Sequence, residues 1–445
     1  MEDDRTDLAF PRLSLSQRAE LSYFAQGRIR KECIVSPSPC LPSILRGKCL
    51  VRIRAQQYPS EMPETLHTRC RSMRHASATL IRDKGPSYTP LRQLMSKLHS
   101  PPPEKERTTS KPKKRREDSE NPTKVQLNLE TRSLGKSDLR ITRVGVGTAP
   151  IGSTPEWKVY WGPQDEKTAI KTIQTAIDLG VNWIDTAPFY GWGRAEQIVG
   201  KAIKGRRDAV HIFTKCGTLP DGKGGWSENL RPESIRREMK GSLQRLQTDY
   251  VDLYQFHDPD PRTPIEESWK EMQHLIDQGL VRYGGLSNHP TNLIERTLRV
   301  GPVTSTQNQY NPLQRRTERD ILPFCLEHEI GVLGWGSLSE GVLADNFDID
   351  KLDPEDFRRR QVYSQPENHS KIQMIRRAFR QIADAHHGTM ANAVIAWELM
   401  HPALTAAIIG VRSENEAREM IGGTDWKLTP DEMSAIEDSL TVWEG

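Results

Sequence analysis

From residue 126 onward, apolar residues recur in two alternating patterns. Short runs dense in Val, Ile, Leu and aromatic residues are followed by longer segments whose apolar residues lie three or four apart. The first pattern reads as buried strand, the second as amphipathic helix. A hairpin over 128–132 and 139–143, turning at Gly135-Lys136-Ser137, opens the series. The first buried strand covers 144–148, and a helix follows over 165–179. Ile170, Ile173 and Ile177 share one face of that helix, and Gly180 stops it.

The cycle then repeats. Strand 181–185 leads to helix 194–203, strand 210–214 to helix 231–246, and strand 250–256 to helix 264–277. Strand 281–286 leads to helix 291–299, strand 305–309 to helix 319–328, and strand 331–335 to a polar excursion over 345–370. Helices are expected near 372–385 and 390–399, an eighth strand over 405–409, and helices over 414–420 and 431–440. Eight strand–helix units in series predict the α/β class and a (β/α)8 TIM barrel. A doubly wound open sheet is the competing arrangement. No Gly-x-Gly-x-x-Gly follows a strand, so the usual dinucleotide fingerprint of such a sheet is missing.

Composition divides the 445 residues near position 125. Residues 1–125 carry 25 Lys and Arg against 14 Asp and Glu, a net of +11; the rest carry 38 against 45, a net of −7. The first part has scattered Pro and Ser, no sustained period, and a basic cluster, Lys111-Pro112-Lys113-Lys114-Arg115-Arg116. Such a chain buries too little apolar surface to offset its ordering entropy, so a disordered basic segment is expected over 1–125, with the barrel over 126–445. The cluster could serve nuclear import or nucleic acid, but no aromatic residues interleave it to stack on bases, and nucleic acid is not the expected partner. A start codon assigned too early is another account of this stretch.

No apolar run reaches the ~18 residues of a membrane span, and the opening Met1-Glu2-Asp3-Asp4 is acidic where a secretory signal is basic. The cytoplasm is therefore the expected compartment. Six cysteines without a Cys-x-x-Cys pair suggest neither a disulfide framework nor a structural zinc site. No heptad or long exposed apolar helix points to an oligomeric state.

In a barrel, chemistry sits at the carboxyl ends of strands and in the loops beyond them. Asp185 ends the second predicted strand, and Tyr190 follows in Pro188-Phe189-Tyr190-Gly191. Lys215 ends the third and His257 the fourth. Singly, a strand-end Asp is most often a helix cap, a Lys or His there a surface residue, and a loop Tyr a packing residue. On three consecutive strands they form a set. A phenol has an ordinary pKa of about 10, which a neighbouring cation lowers, and a carboxylate keeps that cation charged. Such a set gives a proton to a carbonyl oxygen while a hydride reaches the carbon. It contains no base-activated nucleophile and no metal-ligand spacing.

These residues stand in motifs that resemble the aldo-keto reductase superfamily over about residues 127–440: Leu134-Gly135-Lys136-Ser137, Val146-Gly147-Thr148-Ala149, Asp185-Thr186-Ala187-Pro188-Phe189-Tyr190-Gly191, Thr214-Lys215 and Gly284-Gly285-Leu286-Ser287-Asn288. The resemblance implies NADP(H)-dependent hydride transfer, with NAD(H) as the alternative, on an aldehyde, ketone or sugar. It implies a catalytic set of Asp185, Tyr190, Lys215 and His257, with Tyr190 as the general acid. Gly147, Thr148 and Asp185 would border the nicotinamide, and Ser287, Asn288 and Gln307 would hold its carboxamide. Trp335 would stack on its ring. Leu338 and Gly341 would lie over the pyrophosphate, and Gly410 and Arg412 at the 2′-phosphate.

Three positions depart from the family pattern. Glu416 stands where Gln is usual, Met420 where Asn is usual, and Asp258 where an aromatic residue often follows the histidine. Glu416 is expected at the adenosine end, where a carboxylate would repel a 2′-phosphate or bind a free hydroxyl or the adenine amino group. Asp258 is expected either at the pocket wall, favouring a hydroxylated substrate, or capping the next loop. With Asp258, Trp161, Tyr190 and His257 make up the expected substrate contacts, and Trp161, Trp192 and Trp226, in loops after strands, are expected either to line an apolar pocket mouth or to close the top of the barrel. A barrel that senses nicotinamide redox state as a regulatory subunit, with little turnover, is the competing function.

Overall fold

Residues 128–444 are described by the structure, a computed structural model. The segment 1–125, expected to be disordered, and its basic cluster lie outside the described residues.

The opening hairpin forms as an antiparallel pair, β1 (Thr131–Ser133) and β2 (Arg140–Thr142). It is shorter than expected because the chain turns into β3 directly after β2, leaving only three partners for the first arm. Ser137 Oγ donates to the Leu134 carbonyl at 2.7 Å and closes the turn. Gly135 has φ +56°, and a Cβ there would stand 2.4 Å from the Thr304 carbonyl, so the turn can lie against the barrel only without a side chain.

In chain order follow β3 (Val144–Gly147), β4 (Trp183–Asp185), β5 (His211–Cys216), β6 (Thr218–Pro220), β7 (Trp226–Glu228), β8 (Val251–Phe256), β9 (Val281–Ser287), β10 (Ser305–Gln309), β11 (Gly331–Trp335) and β12 (Ala406–Gly410). Eight of them close a parallel barrel, β3-β4-β5-β8-β9-β10-β11-β12, and β12 pairs back to β3. The barrel prediction is borne out, and each of the eight predicted buried strands is a barrel strand. The helices match the prediction to within a few residues. Asp165 caps the first helix, Glu166–Asp178, through Thr168 N, and Ile173 and Ile177 are buried on its inner face.

Two apolar layers hold the strands. The larger packs helices against the outside of the barrel. The smaller fills its interior: Leu134, Leu139 and Ile141 from the hairpin meet Trp183, Phe213, Leu253 and Leu333 from the strands. The hairpin thus plugs the amino-terminal end. The Trp183 indole lies across Gly145, where any Cβ would stand 2.1 Å from the ring, and its N–H donates to the Thr142 carbonyl at 2.9 Å. With that end filled, the carboxyl end remains open for a ligand.

Two features lacked a periodic signal. The β6–β7 hairpin has three-residue arms, too short for alternation to register. Its turn is closed by Asp221, which accepts from Lys223 N and Gly225 N at 2.7 and 2.8 Å. The polar excursion winds into a series of short 3-10 turns anchored by buried Phe357 and Tyr363. Phe357 N donates to the Tyr160 carbonyl at 2.9 Å, which ties the excursion to the loop after β3.

Glu398, in the helix Met390–Met400, is fully buried behind the barrel wall. Burial pushes its carboxyl up to about 8, against the pull of Ser337 and Arg143. The folded value lies above the unfolded one, so folding favours the neutral acid. The associated stability is complete below the ordinary carboxylate range and is lost as pH rises through about 8. Thermal unfolding should therefore show Glu398→Gln close to wild type at pH 5 and more stable than wild type at pH 9. A constant difference between the two pH values would refute this origin.

Candidate active site

The tetrad predicted from three separated segments meets at the carboxyl rim. Asp185 is the last residue of β4, Lys215 lies near the end of β5, His257 directly follows β8, and Tyr190 hangs from the loop after β4. Lys215 Nζ donates to Asp185 Oδ2 at 2.5 Å, to the Thr186 carbonyl at 3.1 Å, and to Tyr190 Oη at 3.1 Å. Three N–H bonds thus have three acceptors, which is what a fully buried ammonium requires. The His257 ring centroid lies 5.7 Å from that of Tyr190, nearly perpendicular to it.

The second oxygen of Asp185 is also held. Gln307 Nε2 donates to Oδ1 at 2.8 Å and Gln255 Nε2 at 3.4 Å, while Gln307 Nε2 also reaches Gln255 Oε1 at 3.2 Å. Gln255 was not anticipated. Its signal was present, since Leu253-Tyr254-Gln255-Phe256-His257 places a polar residue on the inward phase of a strand. Thr148 binds the Asp185 carbonyl through both its N–H and its hydroxyl, at 3.1 and 3.0 Å.

Burial and charge set the protonation states. Burial opposes the Lys215 ammonium, but Asp185 and Tyr190 more than offset it and the net shift is upward. Tyr190 departs from expectation. Lys215 does pull its pKa down, but burial pushes it up more strongly, aided by Asp185 and Asp258, and the phenol stays above its ordinary value. A cation lowers a phenol's pKa only as far as desolvation permits. His257 is pushed well below the usual imidazole range, by burial first and then by Lys215.

Above the tetrad opens a cleft of about 960 Å³. Gly147, Thr148, Asp185, Ser287, Asn288, Gln307, Trp335, Leu338, Gly341, Gly410, Arg412 and Glu416 all line it, as do Trp161, Tyr190, His257 and Asp258. Of the predicted residues Lys215 and Trp192 do not: Lys215 lies beneath Tyr190, and Trp192 packs on Phe189. Ser287 Oγ is buried in the wall without a protein partner, a hydroxyl suited to a polar ligand group. Among the described residues there is no cluster of metal-ligating side chains, and no helix is long and apolar enough to cross a membrane.

The cleft has two differently built ends. Near Tyr190, Phe189 is ringed by Trp157, Trp192, Trp226 and His257, each with its centroid 5.3–5.5 Å away. Trp157 was not anticipated, since one indole in a loop carries no sequence signal. Trp161 lies elsewhere, edge-on to Phe357 at 4.8 Å and beneath the Arg358 guanidinium at 5.0 Å. The Asp258 carboxylate accepts from Thr218 Oγ1 at 3.2 Å and from Asn288 Nδ2 at 2.9 Å. At the other end, Arg412 donates from Nε to Gln164 Oε1 at 2.9 Å, from Nη1 to the Trp161 carbonyl at 2.6 Å, and from Nη2 to the Pro163 carbonyl at 2.5 Å. Glu416 Oε2 accepts from Arg412 N at 2.8 Å.

The model of the Aldo/keto reductase family matches residues 143–441. Aldo-keto reductase YhdN of Bacillus subtilis is 34% identical over 321 residues, which cover 70% of this chain and 94% of that protein. The NADH-specific methylglyoxal reductase of Escherichia coli is 32% identical over 324 residues, covering 70% and 98%. Among solved structures, the glycerol dehydrogenase of Gluconobacter oxydans superposes with a TM-score of 0.64 at 32% identity, covering 71% of this chain and 96% of that one.

The depressed pKa of His257 has a direct consequence. Its imidazole should stay neutral from pH 8 to pH 5.5, where exposed histidines become charged. Nitrogen-15 NMR of the ring, assigned with His257→Gln, reads this, and a midpoint near 6.5 would contradict the burial argument.

Proposed function

The chain belongs to the aldo/keto reductase family, and on that premise we propose that it transfers a hydride between NADP(H) and the carbonyl or alcohol of an aldehyde, ketone or sugar. The observation that carries this reading is the buried contact of Lys215 Nζ with both Asp185 Oδ2 and Tyr190 Oη.

When bound, the nicotinamide supplies the hydride for reduction or accepts it in oxidation. In the reducing direction Tyr190 Oη gives its proton to the carbonyl oxygen, which becomes the hydroxyl as the carbon gains the hydride. Burial keeps the phenol protonated until then. The phenolate left behind sits against the Lys215 ammonium, and Asp185 keeps that ammonium charged and in place. Oxidation runs the same proton path backwards, with the ammonium stabilising the phenolate that takes the alcohol proton. His257, neutral and beside Tyr190, orients the substrate oxygen by a hydrogen bond.

The residues present fit the cofactor. Ser287 Oγ, buried and without a protein partner, would meet the carboxamide with Gln307, and Trp335 would stack on the ring. Leu338 and Gly341 would follow the pyrophosphate, and Gly410, Arg412 and Glu416 the adenosine end. Trp157, Phe189 and Trp226 would wall the substrate, offering apolar faces that suit small carbonyls and the C–H faces of polyols. The names of the relatives, a methylglyoxal reductase and a glycerol dehydrogenase, support small oxygenated substrates.

A second reading of the nucleotide, NAD(H), is favoured by the engagement of Arg412. Its guanidinium already braces the carbonyls of residues 161–163, and Glu416 stands beside it. A 2′-phosphate would have to compete with those bonds and face that carboxylate.

Two variants test these assignments. Tyr190→Phe keeps the ring and removes the proton donor, so kcat should fall by about a hundredfold or more while nucleotide affinity stays within about twofold. A variant retaining most of its kcat would remove Tyr190 from its role, and wild type that binds nucleotide without turning over a carbonyl and aldose panel would favour the redox-sensing subunit. In a fluorescence titration, Arg412→Ala should raise the Kd for NADPH at least about tenfold more than that for NADH, as expected for loss of a charged phosphate contact. Equal losses for both would transfer the assignment to NAD(H).

A further inference from the structure

Asp258 was expected at the pocket wall or capping the next loop; it lines the cleft, and its carboxylate is bound within the protein. Its oxygens are held by Thr218 at one side and Asn288 at the other. Asn288, directly after β9, adopts a left-handed backbone with φ 59°. Its Nδ2 also donates to the His257 carbonyl at 3.2 Å, so both amide hydrogens are committed. Its Oδ1 accepts from Trp335 Nε1 at 3.1 Å. A continuous chain of bonds therefore runs from β6 across the ends of β8 and β9 to the end of β11.

The donors and acceptors in this chain leave one arrangement. An ionised carboxylate only accepts, and an indole N–H only donates. An amide between them satisfies both only with its nitrogen toward Asp258 and its oxygen toward Trp335. The His257 carbonyl demands the same orientation, so an apolar residue at 258 would leave the amide facing the same way but held on its nitrogen side only by the longer bond to that carbonyl. The carboxylate thus anchors the amide through the shorter of its two donor bonds, and the amide anchors the ring.

We propose that Asp258 is a positioning residue, which through Asn288 holds Trp335 in one orientation at the cleft wall. The consequence for the nucleotide rests on the reading given under Proposed function, in which Trp335 is the platform for the nicotinamide. The same chain reaches the substrate end. Thr218 pairs with Glu228 across the β6–β7 hairpin, and Trp226 stands against Phe189. A displacement of that hairpin by substrate would act on Trp335 through Thr218, Asp258 and Asn288.

The test uses the full chain with Asp258→Leu, Asp258→Asn and Trp335→Phe. In the nucleotide-free protein, the indole N–H resonance of Trp335, identified by its loss in Trp335→Phe, should move in Asp258→Leu. It should stay near its wild-type position in Asp258→Asn, whose oxygen still accepts from Asn288. In NADPH and NADH titrations, Asp258→Leu should raise Kd by about tenfold, the worth of a strong hydrogen bond. It should add nothing further once Trp335 is Phe. The proposal is overturned by an unmoved indole resonance in Asp258→Leu, or by additive effects of Asp258→Leu and Trp335→Phe. It is equally overturned if Asp258→Leu changes only the KM for the carbonyl substrate. Failure of wild type to bind either nucleotide would strike the proposed function instead, while the resonance still decides the role of Asp258.

Discussion

The site depends on one buried ion pair. Lys215 is fully buried with Asp185 beside it at 2.5 Å, and neither charge could be removed from water alone. Burial of such a pair is tolerable only when the remaining lone pairs and protons are also satisfied. Here the Thr186 carbonyl and Tyr190 Oη take the other ammonium hydrogens, and Gln307 and Gln255 take the other carboxylate oxygen. Those partners come from β8, β10 and the loop after β4, and the pair itself from β4 and β5, so closure of the barrel is itself a condition for the ion pair. The pair in turn fixes the place of the phenol. Tyr190 sits over a cation that it could not approach in water with the same effect, in a setting that keeps it protonated.

Around this centre, the roles of side chains follow from which hydrogen-bonding capacity is already spent. Asp258, Asn288 and Arg412 carry the residue types expected of ligand contacts, yet each is engaged by the protein. Asp258 holds Asn288, Asn288 holds Trp335, and Arg412 braces the loop at 161–164. Ser287 is the converse, a small hydroxyl left without a partner in the same wall. The charged groups of the cleft lining therefore largely position one another, and the surfaces left for a ligand are aromatic faces, glycine backbone and a few polar atoms.

Much of the fold was legible in the chain. Strand and helix announce themselves by local periodicity, and eight repeats of one unit leave few ways to bury every strand on both faces. Each barrel strand was placed within a few residues for this reason. Asp185, Lys215 and His257 were legible because a polar residue closing an apolar strand breaks the local pattern, and Tyr190 because it follows one of them at short range. The β6–β7 hairpin was not, since three-residue arms are shorter than the period that would reveal them. Gln255 hid within a strand that reads as core, and Trp157 among loop residues without any pattern.

The sequence by itself determined the barrel, its order of strands and the identity of the four residues at its rim, because those follow from patterns between near neighbours. Tertiary structure decided what each polar group is bound to. Whether burial or Lys215 governs the Tyr190 proton depends on how much water the closed rim excludes. That Asp258 bonds Asn288, and Arg412 the carbonyls of residues 161–163, depends on groups up to about 250 positions away in the chain. Hydrogen bonds saturate, so a side chain's role is settled by which partner reaches it in space, and no local pattern in the chain encodes that distance.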